Sequence, residues 1–103
     1  MENLTGFQRD LMYVILDNDQ PSGQEIRRNM EEYYDSSNVN HGRLYPNLDT
    51  LVEEDIIVKG AKDQRTNYYD MTEKGESFIQ DRRAWEDRKI SSSDIESTIA
   101  MSD

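Results

Sequence analysis

The sequence predicts an α+β, mostly α fold: a three-helix core, a two-stranded hairpin and one further helix. Three observations carry that prediction. Apolar residues recur at helical spacing in three successive short stretches between Phe7 and Val52. Two runs of strand-forming residues, Ile56-Ile57-Val58 and Thr66 to Met71, then flank a polar turn, Lys62-Asp63-Gln64-Arg65-Thr66-Asn67. A fresh helix start, Met71-Thr72-Glu73-Lys74-Gly75, closes the series.

Each element follows from its residues. Thr5 can cap a first helix, in which Phe7, Leu11, Val14 and Ile15 form one apolar face. Met12 and Leu16 lie partly off that face, so the helix is expected to touch both its own core and a neighbour. Asn18-Asp19-Gln20-Pro21 is a turn cluster that stops it. Ser22 with Glu25 is a capping box, and the second helix repeats the pattern with Ile26, Met30, Tyr33 and Tyr34. After the polar Asp35 to Asn38, Asn40 caps a third helix with Leu44, Leu48, Leu51 and Val52 on its apolar face. Three matching faces make a trihelical core, although periodicity alone also fits an open bundle. The loop between the strands is longer than a two-residue turn, so a hairpin with a mobile tip is expected. Thr72 caps a last helix to about Lys89, whose few apolar residues are Phe78, Ile79, Ala84 and Trp85. It is expected to bury little against its own domain, leaving Trp85 for a second copy. Ser93 with Glu96, then Ile95 and Ile99, allow at most a marginal extra turn in a polar tail. The order of elements is that of a winged helix-turn-helix.

A chain of 103 residues is one domain by length, with a core small enough that a partner subunit would help it. Without cysteine there are no disulfides or thiolate sites. The longest apolar run, which includes Met12 to Leu16, falls far short of the roughly 20 residues that cross a bilayer. With no secretory signal at its start, the expected location is cytoplasmic, with no membrane partner.

Charge is the unusual feature. The 22 acids and 12 bases sum to −10, where nucleic-acid binders usually carry a basic footprint. Either the protein binds no nucleic acid, or it works where acidic surfaces are the norm. Only Lys59, Lys62, Lys74 and Lys89 are lysines, and many acids with few lysines resemble the surface of a protein from a salt-loving archaeon. An ordinary acidic cytoplasmic protein is the alternative. One window is locally basic: Lys59, Lys62 and Arg65 against Asp63, three minus one, sum to +2 between Ile57 and Tyr69.

Gly42-Arg43-Leu44-Tyr45-Pro46-Asn47-Leu48-Asp49-Thr50-Leu51-Val52-Glu53, followed by Tyr68-Tyr69-Asp70-Met71-Thr72-Glu73-Lys74-Gly75, resembles the PadR-like winged-helix transcriptional regulators. Within them it is most similar to the haloarchaeal subgroup, including regulators of the oxidative-stress type. The resemblance runs from Leu4 to about Arg88. It implies residues 1–72 as a winged-helix DNA-binding domain, 73–90 as a C-terminal dimerisation helix and 91–103 as a flexible tail. Members pair through the last helix and often the first, and bind an inverted repeat. Here that maps to Phe78, Ile79, Arg82 and Trp85, with Met12 and Leu16 as helpers. One departure is Asp55, where members usually have Gly; Asp tolerates left-handed dihedrals better than most residues.

Such a protein inserts the start of its second motif helix into the major groove. Here the residues at and after that start are Asn40, His41, Gly42, Arg43, Pro46 and Asn47. The Arg43 fork matches guanine O6 and N7, Asn47 suits adenine or a phosphate, Gly42 allows close approach, and Pro46 removes an N–H and implies a small kink. Asp49 and Glu53 should tilt away from phosphates. The wing offers Lys62, Gln64, Arg65 and Asn67 to backbone or minor groove. Ser22, Gln24 and Arg27 begin the second helix, where helix N-termini attract anions. Counterion release weakens in strong salt, so specificity is expected to lean on shape and base contacts, with salt cations bridging acids and phosphates.

Plainer roles compete for several of these residues. His41 is a cap or surface residue before it is a ligand, and no metal or cofactor is expected. Tyr45, and Tyr33, Tyr34, Tyr68 and Tyr69, fit core packing better than base stacking. Arg82, Arg83 and Arg88 pair with acids such as Glu86 and Asp87 on a solvated face. No constellation supports an enzyme. The readings kept alongside a sequence-specific homodimeric regulator are a winged-helix protein–protein adaptor and an architectural DNA-binding protein of low sequence specificity.

Overall fold

A computed structural model describes residues 3–35 and 39–93. Its elements are α1 (Gly6–Asp17), α2 (Gly23–Tyr34), α3 (His41–Glu53), β1 (Ile57–Ala61), β2 (Asn67–Met71) and α4 (Glu73–Ser91). Each helix begins where a short polar side chain can take a free backbone N–H. Thr5, Ser22, Asn40 and Thr72 accept from the N–H of Gln8, Glu25, Arg43 and Gly75. Removing such a cap typically costs about 1 kcal/mol. At Thr5 and at Ser22 the bond is reciprocated, because Gln8 and Glu25 reach back to the cap's own N–H.

The three helical faces meet in the expected trihelical core. Leu11, Met12, Ile15, Ile26, Met30, Leu44, Leu48 and Leu51 are all 1% exposed or less. Met12 therefore has no surface left for a neighbour, and its expected place in a dimer interface is corrected. The reason is that α1 is packed by α2, β2 and α3, which together take up a wider arc than its four-residue stripe. The core extends into Ile56, Ile57 and Tyr69, and then into Phe78 and Ile79 of α4. The first turns of α4 are thus part of the domain, against the expectation that this helix buries little. Phe78 and Ile79 spend most of their surface on their own chain.

The strands pair antiparallel, with Ile57 opposite Met71 and Ala61 opposite Asn67. Each begins one residue later than the sequence suggests. Sequence reading missed a third piece of this sheet: Ser22 bridges Tyr68, and the Tyr69 N–H donates to the Pro21 carbonyl at 3.0 Å. The α1–α2 connection thereby fixes the wing to the helical core. The tip is closed rather than open. The Lys62 N–H donates to the Thr66 carbonyl at 2.8 Å, and one Asp63 carboxylate oxygen accepts from the Arg65 and Thr66 N–H groups. These bonds hold the Asp63 carboxyl below its ordinary range.

Between α3 and β1 the chain turns at Asp55, with φ of 61°, a left-handed conformation that Asp tolerates better than most residues. Behind it, the Thr72-x-x-Gly75 start of α4 locks onto the same turn. The Thr72 hydroxyl lies 2.7 Å from the Asp55 carbonyl and 2.9 Å from that of Ile56, and it accepts from the Gly75 N–H. Gly75 has the Ile56 carbonyl oxygen in the space where a Cβ would stand, so only glycine fits. Lys74 adds a bond from Nζ to the Glu54 carbonyl at 2.8 Å. α4 runs to Ser91, two residues past its expected end, and Ser92 caps it. The rest of the expected tail, with Glu96, Ile95 and Ile99, lies outside the described residues.

Candidate nucleic-acid interface

The N-terminal turn of α3 stands out from the domain. Asn40, His41, Gly42, Arg43 and Pro46 are exposed, and Asn47 is half-buried. Asn40 is used as the cap, its Oδ1 taking the Arg43 N–H at 2.9 Å. The ring of His41 lies 4.3 Å from that of Tyr45. Tyr45 in turn fills the space beside Gly23, where a Cβ would strike its ring. This close approach brings α2 and α3 together as the two helices of the motif. At Gly42 the surroundings differ: a Cβ would meet only the Asn40 side-chain oxygen, at 3.4 Å. The fold makes no demand for glycine there.

Two residues of α1 support this turn from behind. The Arg43 guanidinium carbon lies 4.0 Å from the centre of the Phe7 ring. Phe7 is itself buried and backed by Tyr34, with ring centres 6.3 Å apart. Stacking on an aromatic face leaves the in-plane N–H fork of an arginine free to bond at its edge. Next to Phe7, Gln8 donates from Nε2 to Asn47 Oδ1 at 3.0 Å. Asn47 Nδ2 donates in turn to the Arg43 carbonyl at 2.7 Å. Consecutive residues of α1 therefore hold two residues of α3 one turn apart. Neither Phe7 nor Gln8 is legible as a site residue in the sequence. The one available signal is the Thr5-x-x-Gln8 spacing, which marks a capping box and so fixes where the Gln8 amide starts.

This geometry bears on one expectation. Reading adenine takes an amide oxygen and an amide N–H together. One lone pair of the Asn47 oxygen takes the Gln8 N–H and one Asn47 N–H goes to the Arg43 carbonyl, which leaves one acceptor site and one donor on this side chain.

On the wing, Lys62, Gln64, Arg65 and Asn67 are all exposed. Lys62 Nζ comes within 3.8 Å of Glu25 Oε1. At the start of α2, Gln24 is exposed, while Ser22 and Arg27 are half-buried. At Ser22 the backbone N–H is already taken from within. The Glu25 carboxylate accepts the Ser22 N–H at 3.1 Å, and that bond, joined by the Ser22 hydroxyl, pulls its pKa below the ordinary value. A phosphate approaching Ser22 would meet this charge.

Of the residues assigned to pairing, Leu16 is 47% exposed and Trp85 41%. Trp85 carries the Arg82 guanidinium 4.6 Å and the Lys89 ammonium 5.7 Å from its ring centre, and Arg82 also pairs with Glu86 at 3.3 Å. Leu16 lines a groove between α1, the end of α2 and α4, with Tyr33, Ile79 and Arg83 on its walls. Tyr33, expected in the core, is 73% exposed. Tyr34 and Tyr69 do pack as expected. Burial pushes both phenols up to about 12, aided at Tyr34 by its 2.6 Å bond to the Asp10 carboxylate. Among the described residues no group of His, Asp or Glu could hold a metal ion, and no helix is long and apolar enough to cross a membrane.

A winged helix-turn-helix with an exposed arginine on its second motif helix defines a class of DNA-binding regulator. The model of the transcriptional regulator PadR-like family matches residues 11–81. Over 98% of its length the chain superposes on RosR of H. salinarum, from a crystal grown from NaBr, with a TM-score of 0.82, 36% identity and 94% of that chain covered. Two structures of the same protein described as complexes, with S1 and with S4, match at the same score and identity, covering 97% and 98% of this chain and 92% and 90% of theirs. No curated protein matches. The chain belongs to the PadR-like family of transcriptional regulators, and its fold is that of RosR.

Proposed function

We propose that this regulator binds a discrete inverted-repeat operator as a homodimer, with the start of α3 in the major groove and the wing on the flanking backbone. The observation that carries the proposal is the pairing of Arg43 with Gly42. One is a guanidinium braced on Phe7 with its fork free. The other is a bare backbone position that nothing in the fold requires. A helix start that spends stability on an exposed glycine beside a supported arginine is suited to a base edge. Arg65 and Lys62 supply the wing contact, and the exposed Leu16, Tyr33 and Trp85 supply apolar surface for a second copy. Asp49 and Glu53 on the exposed side of α3 face an anionic partner only if cations stand between, so salt cations bridge the two surfaces at high ionic strength. Tolerance of that ionic strength is what the net charge of −10 serves.

The test is titration of a randomised duplex library and of a selected site by wild type, Arg43→Ala and Arg65→Ala, from low to molar potassium chloride. A discrete palindromic site, lost with Arg43→Ala, and a dimer by sedimentation at the same salt bear the reading out. No selected site, or binding that both variants leave intact, sinks it.

One observation favours the adaptor reading. Glu25 places a carboxylate at the start of α2, where a DNA-binding helix-turn-helix usually welcomes phosphate. An adaptor predicts no retention on any duplex at either salt.

A further inference from the structure

We infer that Phe7, a buried residue of α1, sets how strictly this regulator demands guanine, because its ring face holds the Arg43 fork in place before DNA arrives. The inference rests on the proposal that the start of α3 faces DNA, and it makes Phe7 a positioning residue for that contact.

Arg43 stands where a cation is poorly placed. It is the third residue of α3, within the turn whose free N–H groups give a helix start its partial positive charge. A chain with 22 acids puts none of them in that turn. Among the described residues none takes a hydrogen bond or an ion pair from the guanidinium. It has the Phe7 ring instead, with the guanidinium carbon 4.0 Å from the ring centre. The face of an aromatic ring is its negative part and attracts a cation placed over it. The ring thus offsets the repulsion of the helix start without using any N–H group.

The ring is itself fixed. Phe7 is 8% exposed, and Tyr34 of α2 backs it, with ring centres 6.3 Å apart. The Tyr34 hydroxyl donates to the Asp10 carboxylate at 2.6 Å. Asp10 lies three residues after Phe7, on the same side of α1. α1 therefore holds the stack at both ends, through the Phe7 ring beside Arg43 and the Asp10 carboxylate beyond Tyr34. Burial and the Asp10 bond push the Tyr34 phenol up to about 12, and the Arg43 charge works against them, so the guanidinium is felt as far as the second ring.

Holding matters for one kind of contact. An unrestrained arginine must give up the freedom of a long side chain to meet guanine O6 and N7 with two N–H groups. A guanidinium already held loses less. That advantage counts only where both bonds form. It widens the gap between guanine and every other base and leaves affinity for random duplex nearly unchanged. The effect also has a definite sign. A ring that stored Arg43 away from DNA would oppose the contact, and its removal would sharpen the guanine preference. A ring that presents Arg43 makes removal blunt it. The second case applies because the ring engages the flat face of the guanidinium and guanine engages its edge.

Phe7→Leu keeps an apolar side chain in the core and removes the ring. In selection from a randomised duplex library, the Arg43-dependent guanine preference at one position per half-site should fall about threefold to tenfold, the order of one partly exposed cation–π contact. Phenylalanine analogues carrying one, two and three ring fluorines at position 7 separate this from packing, since they keep the shape of the ring while drawing charge from its face. The guanine preference should fall stepwise along the series at a constant melting temperature. A preference that stays flat along the series, or that rises in it or in Phe7→Leu, overturns the inference.

A second readout needs no DNA. In the free protein the Arg43 side-chain N–H resonance should lie upfield of that of an open arginine, moved by the ring current, and should return in Phe7→Leu. An unshifted resonance in wild type defeats the stack itself. A shifted resonance in a protein whose base preferences survive Arg43→Ala upholds the stack and defeats the DNA reading beneath it.

Discussion

Glu25 and Lys62 approach to 3.8 Å across the gap between the start of α2 and the wing. Both are well exposed, so the pair adds little to stability. Its effect is on charge: the carboxylate that completes the Ser22 capping box also neutralises one of the few bases on the proposed DNA face. Glu25→Gln keeps an amide able to take the Ser22 N–H while removing that charge. The melting temperature should change by no more than a degree or two. Affinity for a selected duplex at low salt should rise roughly twofold to fivefold, in line with one exposed charge. Fluorescence anisotropy titration checks it; an unchanged or weaker affinity would count against the wing and α2 sharing one anionic partner.

Gly42→Ala should move stability and binding in opposite directions. Alanine is favoured over glycine in a helix by about 0.5–1 kcal/mol, and the site has room for the methyl group. A denaturant midpoint that rises, together with about a tenfold loss of duplex affinity from a methyl forced into a packed surface, is the expected pair of outcomes. If binding is untouched, close backbone approach at Gly42 is wrong.

Gly75→Ala should be damaging although it lies far from the proposed interface. Its Cβ would overlap the Ile56 carbonyl oxygen, a backbone atom that is also tied to Thr72. Overpacking of this kind costs about 1–3 kcal/mol, which for a domain of this size lowers the melting temperature by roughly 5–20 °C. Calorimetry on the purified variant is the measurement. A loss of less than a degree would mean that α4 can shift freely on the α3–β1 turn.

Alkaline conditions should unfold the protein through two phenols that pack on the core, Tyr69 buried and Tyr34 half-buried. Tyr34 and Tyr69 are both pushed up to about 12, above the ordinary value of 10.0. The folded chain then holds protons that the unfolded chain releases first. Their contribution is fully present below pH 10 and is lost as pH rises through 12. Urea midpoints should be flat with respect to these groups below pH 10 and fall between pH 10 and 12, with a shallower fall in Tyr34→Phe.

How much of this was legible depends on whether a feature is local. All four helix caps could be read from single residues, because a cap satisfies a donor three positions away. The left-handed turn at Asp55 was readable only through the resemblance, because Asp stands where members usually have Gly and tolerates that conformation. The trihelical core followed from spacing. What the sequence hid were meetings across the chain: the Ser22–Tyr68 bridge, the Glu25–Lys62 pair, and the hold of Phe7 and Gln8 on Arg43 and Asn47. Periodicity names a face but not which residue lies opposite it. Met12 shows the limit clearly. It sits partly off the apolar stripe of α1, yet it is fully buried, on a helix that two helices and a strand pack against. Tyr33 shows the converse, lying on the right spacing at a helix end that nothing covers.

α1 is the element on which these meetings converge. Its first turn grips the reading residues, and its last turn carries Leu16, which lines the groove. Twelve residues of α-helix make a rod about 18 Å long. A rod that short and that well seated tilts as a unit. Under the pairing proposed above, a partner that presses on the Leu16 end and a duplex that presses on the Arg43 end act on one rigid piece. A few degrees of lean there would swing both guanidinium probes out of step with the helical repeat.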